Sequence, residues 1–185
     1  KALTTVFEPG SASKVITMAA ALEEHVVDVT TTLTVPDHLK VADAMFTDHD
    51  PHPTQTMSLT DILANSSNIG TIMLGQLLGP EKIDEYQHKF GFGQKTGLDF
   101  PNESPGLMLP LKDWSGTSIG TIPIGQGVAV TALQMLQAYN VIANGGVYIQ
   151  PSLVKGKATT NDGTVVGSEV ASSHRVVSPK AAKLT

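Results

Sequence analysis

The chain has 185 residues, 41% of them hydrophobic and 16% charged, with a formal net charge of −5. That length and composition fit one globular domain with enough chain to bury a core, and the acidic balance argues against nucleic acid, which needs a basic face. Cysteine is absent, which excludes disulfides and thiolate zinc sites; no apolar run approaches the ~18 residues of a membrane span.

In chain order, Pro9-Gly10 breaks the chain and Ser11 opens a run of small and apolar residues, so a helix is predicted over 11–27. Val15, Ile16, Met18, Ala19, Ala20, Ala21 and Leu22 cover every face of it, the mark of a buried central helix. Residues 28–56 read as loop with short extended pieces at "TTLTVP" and "HLKVAD". Met57–Gly79 reads as helix in two parts, with Ser58 and Asp61 forming a capping box and "NSSN" dividing the halves. A further helix opens at Pro80 and stops at Gly91. Residues 94–120 are rich in loop signals. Thr131–Asn144 is an amphipathic helix closed by Gly145-Gly146. Strands joined by a turn at Asn161-Asp162-Gly163 follow, so strand material is expected mainly at the end. The chain lacks an initiator Met and ends in "VVSPKAAKLT", which reads as a helix beginning; a fragment of a longer protein is expected.

Four groups of residues carry candidate chemistry. Ser11 and Lys14 lie three apart, on one helix face, where hydroxyl and amine can meet. A serine hydroxyl becomes a good nucleophile when a base takes its proton, and a lysine is that base when burial and the positive end of a helix lower its pKa. Ser152 and Lys155 repeat the spacing, but in a strand-like stretch where such side chains point to opposite faces, so that copy is rejected. Ser66 and Asn68 sit two apart in a polar notch, able to relay a proton and hold an amide; taken alone, a helix break satisfied locally is the expected reading. Lys95-Thr96-Gly97 spells K-T-G, a string that belongs with S-x-x-K and a serine–asparagine pair in penicillin-recognising enzymes when it lies on a strand edge. Here Gly and Pro surround it, and a loop is expected. Asp48, His49, Asp50 and His52 form a possible metal cluster, but the helical ligand spacing is missing and a polar loop is the expected reading. His25, His88 and Trp114 have structural readings only.

Together, "TTVFEPGSASK", "LANSSNIGT", "FGFGQKTGLDFPNE" and "PIGQGVAVTALQMLQAYNVIANGGVYIQP" resemble, in order, segments of the transpeptidase domain of class B penicillin-binding proteins, especially the septal, FtsI-like peptidoglycan D,D-transpeptidases. The resemblance covers nearly the whole chain. It implies the α/β fold shared with serine β-lactamases, with residues 1–185 a partial domain: mostly α, a helical subdomain plus the active-site helix, with a few short strands. The flanking sheet strands and a functional K-T-G strand are not among these residues. Ala12 and Ser13 depart from the family, where Thr or Val and then a large apolar residue are common.

The resemblance implies a serine acyl-enzyme. Ser11 attacks the carbonyl between the terminal D-alanines of a stem peptide, Lys14 accepts its proton, Ser66 passes a proton to the leaving amine, and Asn68 binds the donor's amide. β-Lactams acylate Ser11, and neither cofactor nor metal is expected. Peptidoglycan stem peptides are the implied partners, with cell-division membrane proteins possible ones. The implied place is the extracytoplasmic side of the bacterial membrane, anchored by an upstream segment. A serine β-lactamase, a D,D-carboxypeptidase, or a non-catalytic β-lactam sensor or division scaffold fits the same motifs.

Overall fold

The computed structural model describes residues Lys1–Thr185. Strand β1 (Val6–Phe7) leads through Pro9 into a 3-10 turn, Gly10–Ser13, and then helix α1 (Lys14–Glu23). Short strands β2 (Thr32–Val35), β3 (Leu39–Val41), β4 (Ala44–Phe46) and β5 (Gln55–Ser58) precede α2 (Leu59–Ala64), α3 (Asn68–Leu78) and α4 (Pro80–Lys89). Then come β6 (Leu107–Met108), α5 (Ser118–Thr121), β7 (Val128–Thr131) and α6 (Ala132–Ala143). Strands β8 (Val147–Ile149), β9 (Ala158–Thr159), β10 (Val165–Val166) and β11 (Ser173–Arg175) and helix α7 (Pro179–Leu184) complete the chain.

Helix α1 is the axis of the molecule, as its all-round apolar sequence predicts. Ile16, Met18, Ala19, Ala20, Ala21 and Leu22 are all buried, and α2, α3, α4 and α7 pack around it. Its run of alanines lets those helices come close. Gly75 on α3 serves the same end: a Cβ there would stand 2.5 Å from the ring of Pro123. Glycine inside a helix costs about 1 kcal/mol relative to alanine, and this contact is what alanine would forfeit.

Two expectations are met by observed caps: Ser58 and Asp61 form a reciprocal capping box at α2, and Pro80 sits in the first turn of α4. A second capping box, Thr131 with Gln134, opens α6. Three expectations need correction. Helix α1 stops at Glu23, not 27, because His25 takes a left-handed φ of +55° and Glu24 turns aside to Lys82 and Tyr86. Met57 belongs to β5, not to the helix after it: the chain is extended up to Ser58, whose side chain caps α2. Strand material is not confined to the end. Strand β7 pairs with β1 (Phe7 opposite Val130) and with β6 (Leu107 opposite Ala129) in a three-stranded antiparallel sheet. β2 pairs with β5, and β3 with β4. These strands are two to four residues long, too short to show an alternating pattern.

Candidate active site

The site begins where β1 hands the chain to α1. Pro9 is buried, and Gly10 takes φ +54° to start the 3-10 turn. This turn is clamped by a loop 115 residues later. Gly10 N–H donates to the Gly125 carbonyl at 2.9 Å, and Gly127 N–H donates to the Glu8 carboxylate at 2.8 Å. Gly125 has φ +80°, and a Cβ there would lie 2.2 Å from the Gly10 carbonyl oxygen and 2.4 Å from Ser13 Oγ. Only glycine fits that approach. Ser13 is buried and donates to the Gly10 carbonyl at 2.9 Å, so the unusual residue at this position tightens the turn.

Ser11 lies on this turn, exposed, rather than in the first turn of an α-helix. A 3-10 helix has three residues per turn, so residues i and i+3 eclipse and Ser11 and Lys14 share a face. Lys14, the first residue of α1, is 1% exposed. Its amine does not bond to Ser11. It donates instead to the Ser66 carbonyl at 2.5 Å, to Asn68 Oδ1 at 2.7 Å and to Ser66 Oγ at 3.1 Å. Three acceptors match the three N–H groups of an ammonium ion.

Two of those acceptors are carbonyl oxygens that can only accept. The third, the Ser66 hydroxyl, can reverse and donate. When the amine is neutral it keeps two N–H bonds, to Ser66 O and Asn68 Oδ1, and its lone pair is left for a hydroxyl. Burial lowers the Lys14 pKa from 10.5 to about 8, against the opposing pull of the Asp48 negative charge. At pH 7 a group of that pKa is neutral in roughly one molecule in ten, far above an ordinary lysine.

The turn that receives Lys14 is the predicted break between α2 and α3. Ser66 takes φ +53°, the left-handed region, which costs a non-glycine residue about 1–3 kcal/mol and persists where surroundings impose it. Ser67 caps α3 by accepting from Gly70 N–H at 2.9 Å. Asn68 Nδ2 donates to the Thr47 carbonyl at 3.0 Å, which fixes its amide with Oδ1 toward the lysine. Each end of that amide retains capacity for one more bond. Ser11, Ser66 and Asn68 line one cleft of about 370 Å³, with His49, Asp50 and Gln126 at its walls. Lys14, Ser66 and Asn68 are thus joined by hydrogen bonds, and Ser11 shares the cleft of Ser66 and Asn68.

Lys95-Thr96-Gly97 lies in a loop, as expected, with Lys95 exposed. Thr96 donates through its N–H and its hydroxyl to Glu103 Oε1, at 2.9 and 2.5 Å, and Gly97's carbonyl accepts from Gln150. Ser152 and Lys155 are exposed in irregular chain rather than a strand; Ser152 Oγ is tied to Val154 of its own loop. Asp48 and His52 hold each other at 2.9 Å, and no group of three or more His, Asp or Glu side chains converges there. Sequence reasoning missed what Asp48 and Gly125 do, because both act across long stretches of chain.

A serine on a clamped helical turn, a dry lysine one turn on and a serine–asparagine turn around the amine define the class of penicillin-recognising active-site-serine folds. A family model for the penicillin-binding protein transpeptidase domain matches residues 1–185, and the chain belongs to that family. It is 39% identical over 181 residues to penicillin-binding protein PbpB of Mycolicibacterium smegmatis, covering 98% of this chain and 28% of that one. It is 38% identical over 154 residues to stage V sporulation protein D of Bacillus subtilis, covering 82% and 24%. Among solved structures, penicillin-binding protein 3 of Mycobacterium tuberculosis complexed with aztreonam superposes with a TM-score of 0.90 at 36% identity, covering 99% of this chain and 41% of that one. The chain spans about a quarter of the length of these curated relatives.

Proposed function

We propose that this chain carries the nucleophile half of a peptidoglycan D,D-transpeptidase. The observation that carries the reading is the buried Lys14 amine, held by Ser66 and Asn68 one turn from an exposed serine. Ser11 Oγ attacks the carbonyl between two terminal D-alanines of a stem peptide. The hydroxyl proton passes to neutral Lys14. The Ser66 hydroxyl, 3.1 Å from that amine, hands a proton on to the departing D-alanine nitrogen. Asn68 uses its remaining capacity for the donor strand's amide. An amine from a neighbouring stem peptide then takes the acyl group from Ser11, which forms the cross-link and frees the serine.

The Ser11 N–H lies at a helix start, where backbone donors lack a carbonyl one turn earlier, and supplies one oxyanion contact. The second comes from a strand bearing a functional K-T-G in the longer protein. Losing one such donor costs about 10²–10³ in rate, so residues 1–185 alone are nearly inactive. β-Lactams acylate Ser11 as mimics of the D-alanyl peptide, a reading supported by the aztreonam and ampicillin complexes of the M. tuberculosis relative. No helix of the chain is long and apolar enough to cross a membrane; the protein acts outside the cytoplasm, anchored by a segment upstream, in septal synthesis beside division proteins.

The test is covalent labelling of the full-length protein with a fluorescent penicillin, with the adduct mapped by mass spectrometry. The adduct is expected on Ser11 and absent from Ser11→Ala. Undiminished labelling of Ser11→Ala would remove the assignment.

A further inference from the structure

The Ser66–Asn68 turn is closed locally, with Ser66 N–H donating to the Leu63 carbonyl at 3.1 Å and Ser67 N–H to the Ile62 carbonyl at 2.9 Å, and it is also tied to a distant loop. Two consecutive loop residues, Thr47 and Asp48, hold the residues that follow Ser66. The Ser67 hydroxyl donates to Asp48 Oδ2 at 2.7 Å, Asn68 Nδ2 donates to the Thr47 carbonyl at 3.0 Å, and Ile69 N–H donates to Asp48 Oδ1 at 2.9 Å. Asp48 is gripped in turn by His52, whose Nε2 lies 2.9 Å from Oδ2; the two side chains are 13% and 7% exposed. The other ring nitrogen, Nδ1, lies 2.8 Å from the Pro53 carbonyl. A carbonyl and an ionised carboxylate both only accept, so the ring satisfies both partners when both nitrogens carry protons.

We propose that Asp48, backed by the His52 imidazolium, is the positioning residue of this site, fixing the Ser66–Asn68 turn so that its carbonyl, hydroxyl and amide converge on the Lys14 amine. The inference rests on the serine-acylation reading above. Asp48 has two consequences at once. It holds Ser67 and Ile69, which follow the left-handed Ser66, and it places a negative charge near the lysine. That charge raises the Lys14 pKa while burial lowers it. Without it the ammonium would release its proton at lower pH. His52 is raised above 6.5, first by its bond to the Pro53 carbonyl and then by Asp48.

The charged groups facing this cluster are few. Asp48 faces Lys14, and Asp48 and Asp37 face His52. His49 and Asp50 stand at the cleft wall. Helix α3 carries no ionisable side chain, and Asp61 of α2 caps its own helix.

The experiment measures the second-order rate of acylation by a fluorescent penicillin in the full-length protein, from about pH 6 to about pH 10, where the rising limb of the profile reports the base. Wild type, Asp48→Asn and His52→Gln are compared, with Lys95→Ala as the unaltered control. Asp48→Asn is expected to lower the plateau about ten-fold, as misplacement of a reacting group does, and to move the rising limb to lower pH. A merely structural role would lower the melting temperature and the labelled fraction and leave the limb in place, and that result overturns the proposal. Where Asp48→Asn does not fold, His52→Gln decides: a plateau loss above about three-fold at an unchanged melting temperature supports the proposal, and a smaller loss overturns it. A wild-type adduct at Ser11 with unaffected variants sinks this inference alone. Absence of that adduct sinks the acylation reading and this inference with it.

Discussion

Ser11–Lys14 and Ser152–Lys155 place a hydroxyl and an amine at the same spacing, and the molecule sets them in opposite surroundings. Lys14 is buried on the central helix, with three oxygens of a distant turn around its amine. Lys155 is exposed in irregular chain, and Ser152 bonds to its own loop. In the first pair, dryness alters the proton affinity of the amine, and a clamped turn aims the hydroxyl at a cleft. In the second, water surrounds both groups and nothing orients one toward the other. Burial and long-range fixation separate the two pairs, and the four-letter pattern contains neither.

The largest effect is expected from removing the proposed base. Lys14→Ala in the full-length protein should slow penicillin acylation about 10³-fold, the scale of a general base, with the far-ultraviolet circular dichroism unchanged. A loss under about ten-fold would mean another group takes the proton. Next comes the clamp. Gly125→Ala drives a Cβ into the Gly10 carbonyl at a backbone conformation alanine resists. It should destabilise the domain by about 2 kcal/mol in thermal melts and slow labelling about ten-fold. Thr131→Ala breaks the capping box of α6, away from the cleft; it should cost about 1 kcal/mol and leave the labelling rate of folded protein unchanged. Ser152→Ala and Lys95→Ala should change neither labelling nor stability measurably, since both residues are exposed. A rate loss in either would show that the second S-x-x-K or the loop K-T-G takes part after all.

Much of the site was legible in the sequence, because its strongest signals are local. An apolar run behind Ser11 announces a buried helix, and a lysine inside it needs a reason. The polar "NSSN" between two apolar halves marks a break, and the break proved to be where Ser66 and Asn68 meet the lysine. The capping box at Ser58 is likewise spelled within four residues. What stayed hidden acts at a distance. Asp48 reads as one acid in a polar loop, yet it bonds residues 19 and 21 positions later. Gly125 reads as one of many glycines, yet it lies against Gly10 across 115 residues of chain. Strands β1, β6 and β7 are too short to carry a period, and their partners are far away in sequence.

Burial, countered in part by Asp48, brings the Lys14 amine within reach of neutrality. The most direct measurement is an NMR titration of the full-length protein with isotope-labelled lysine, with the Lys14 resonance assigned by loss in Lys14→Ala. A midpoint of about 8 is expected, and a resonance still that of an ammonium ion until near the ordinary lysine value of 10.5 would overturn the role proposed for Lys14.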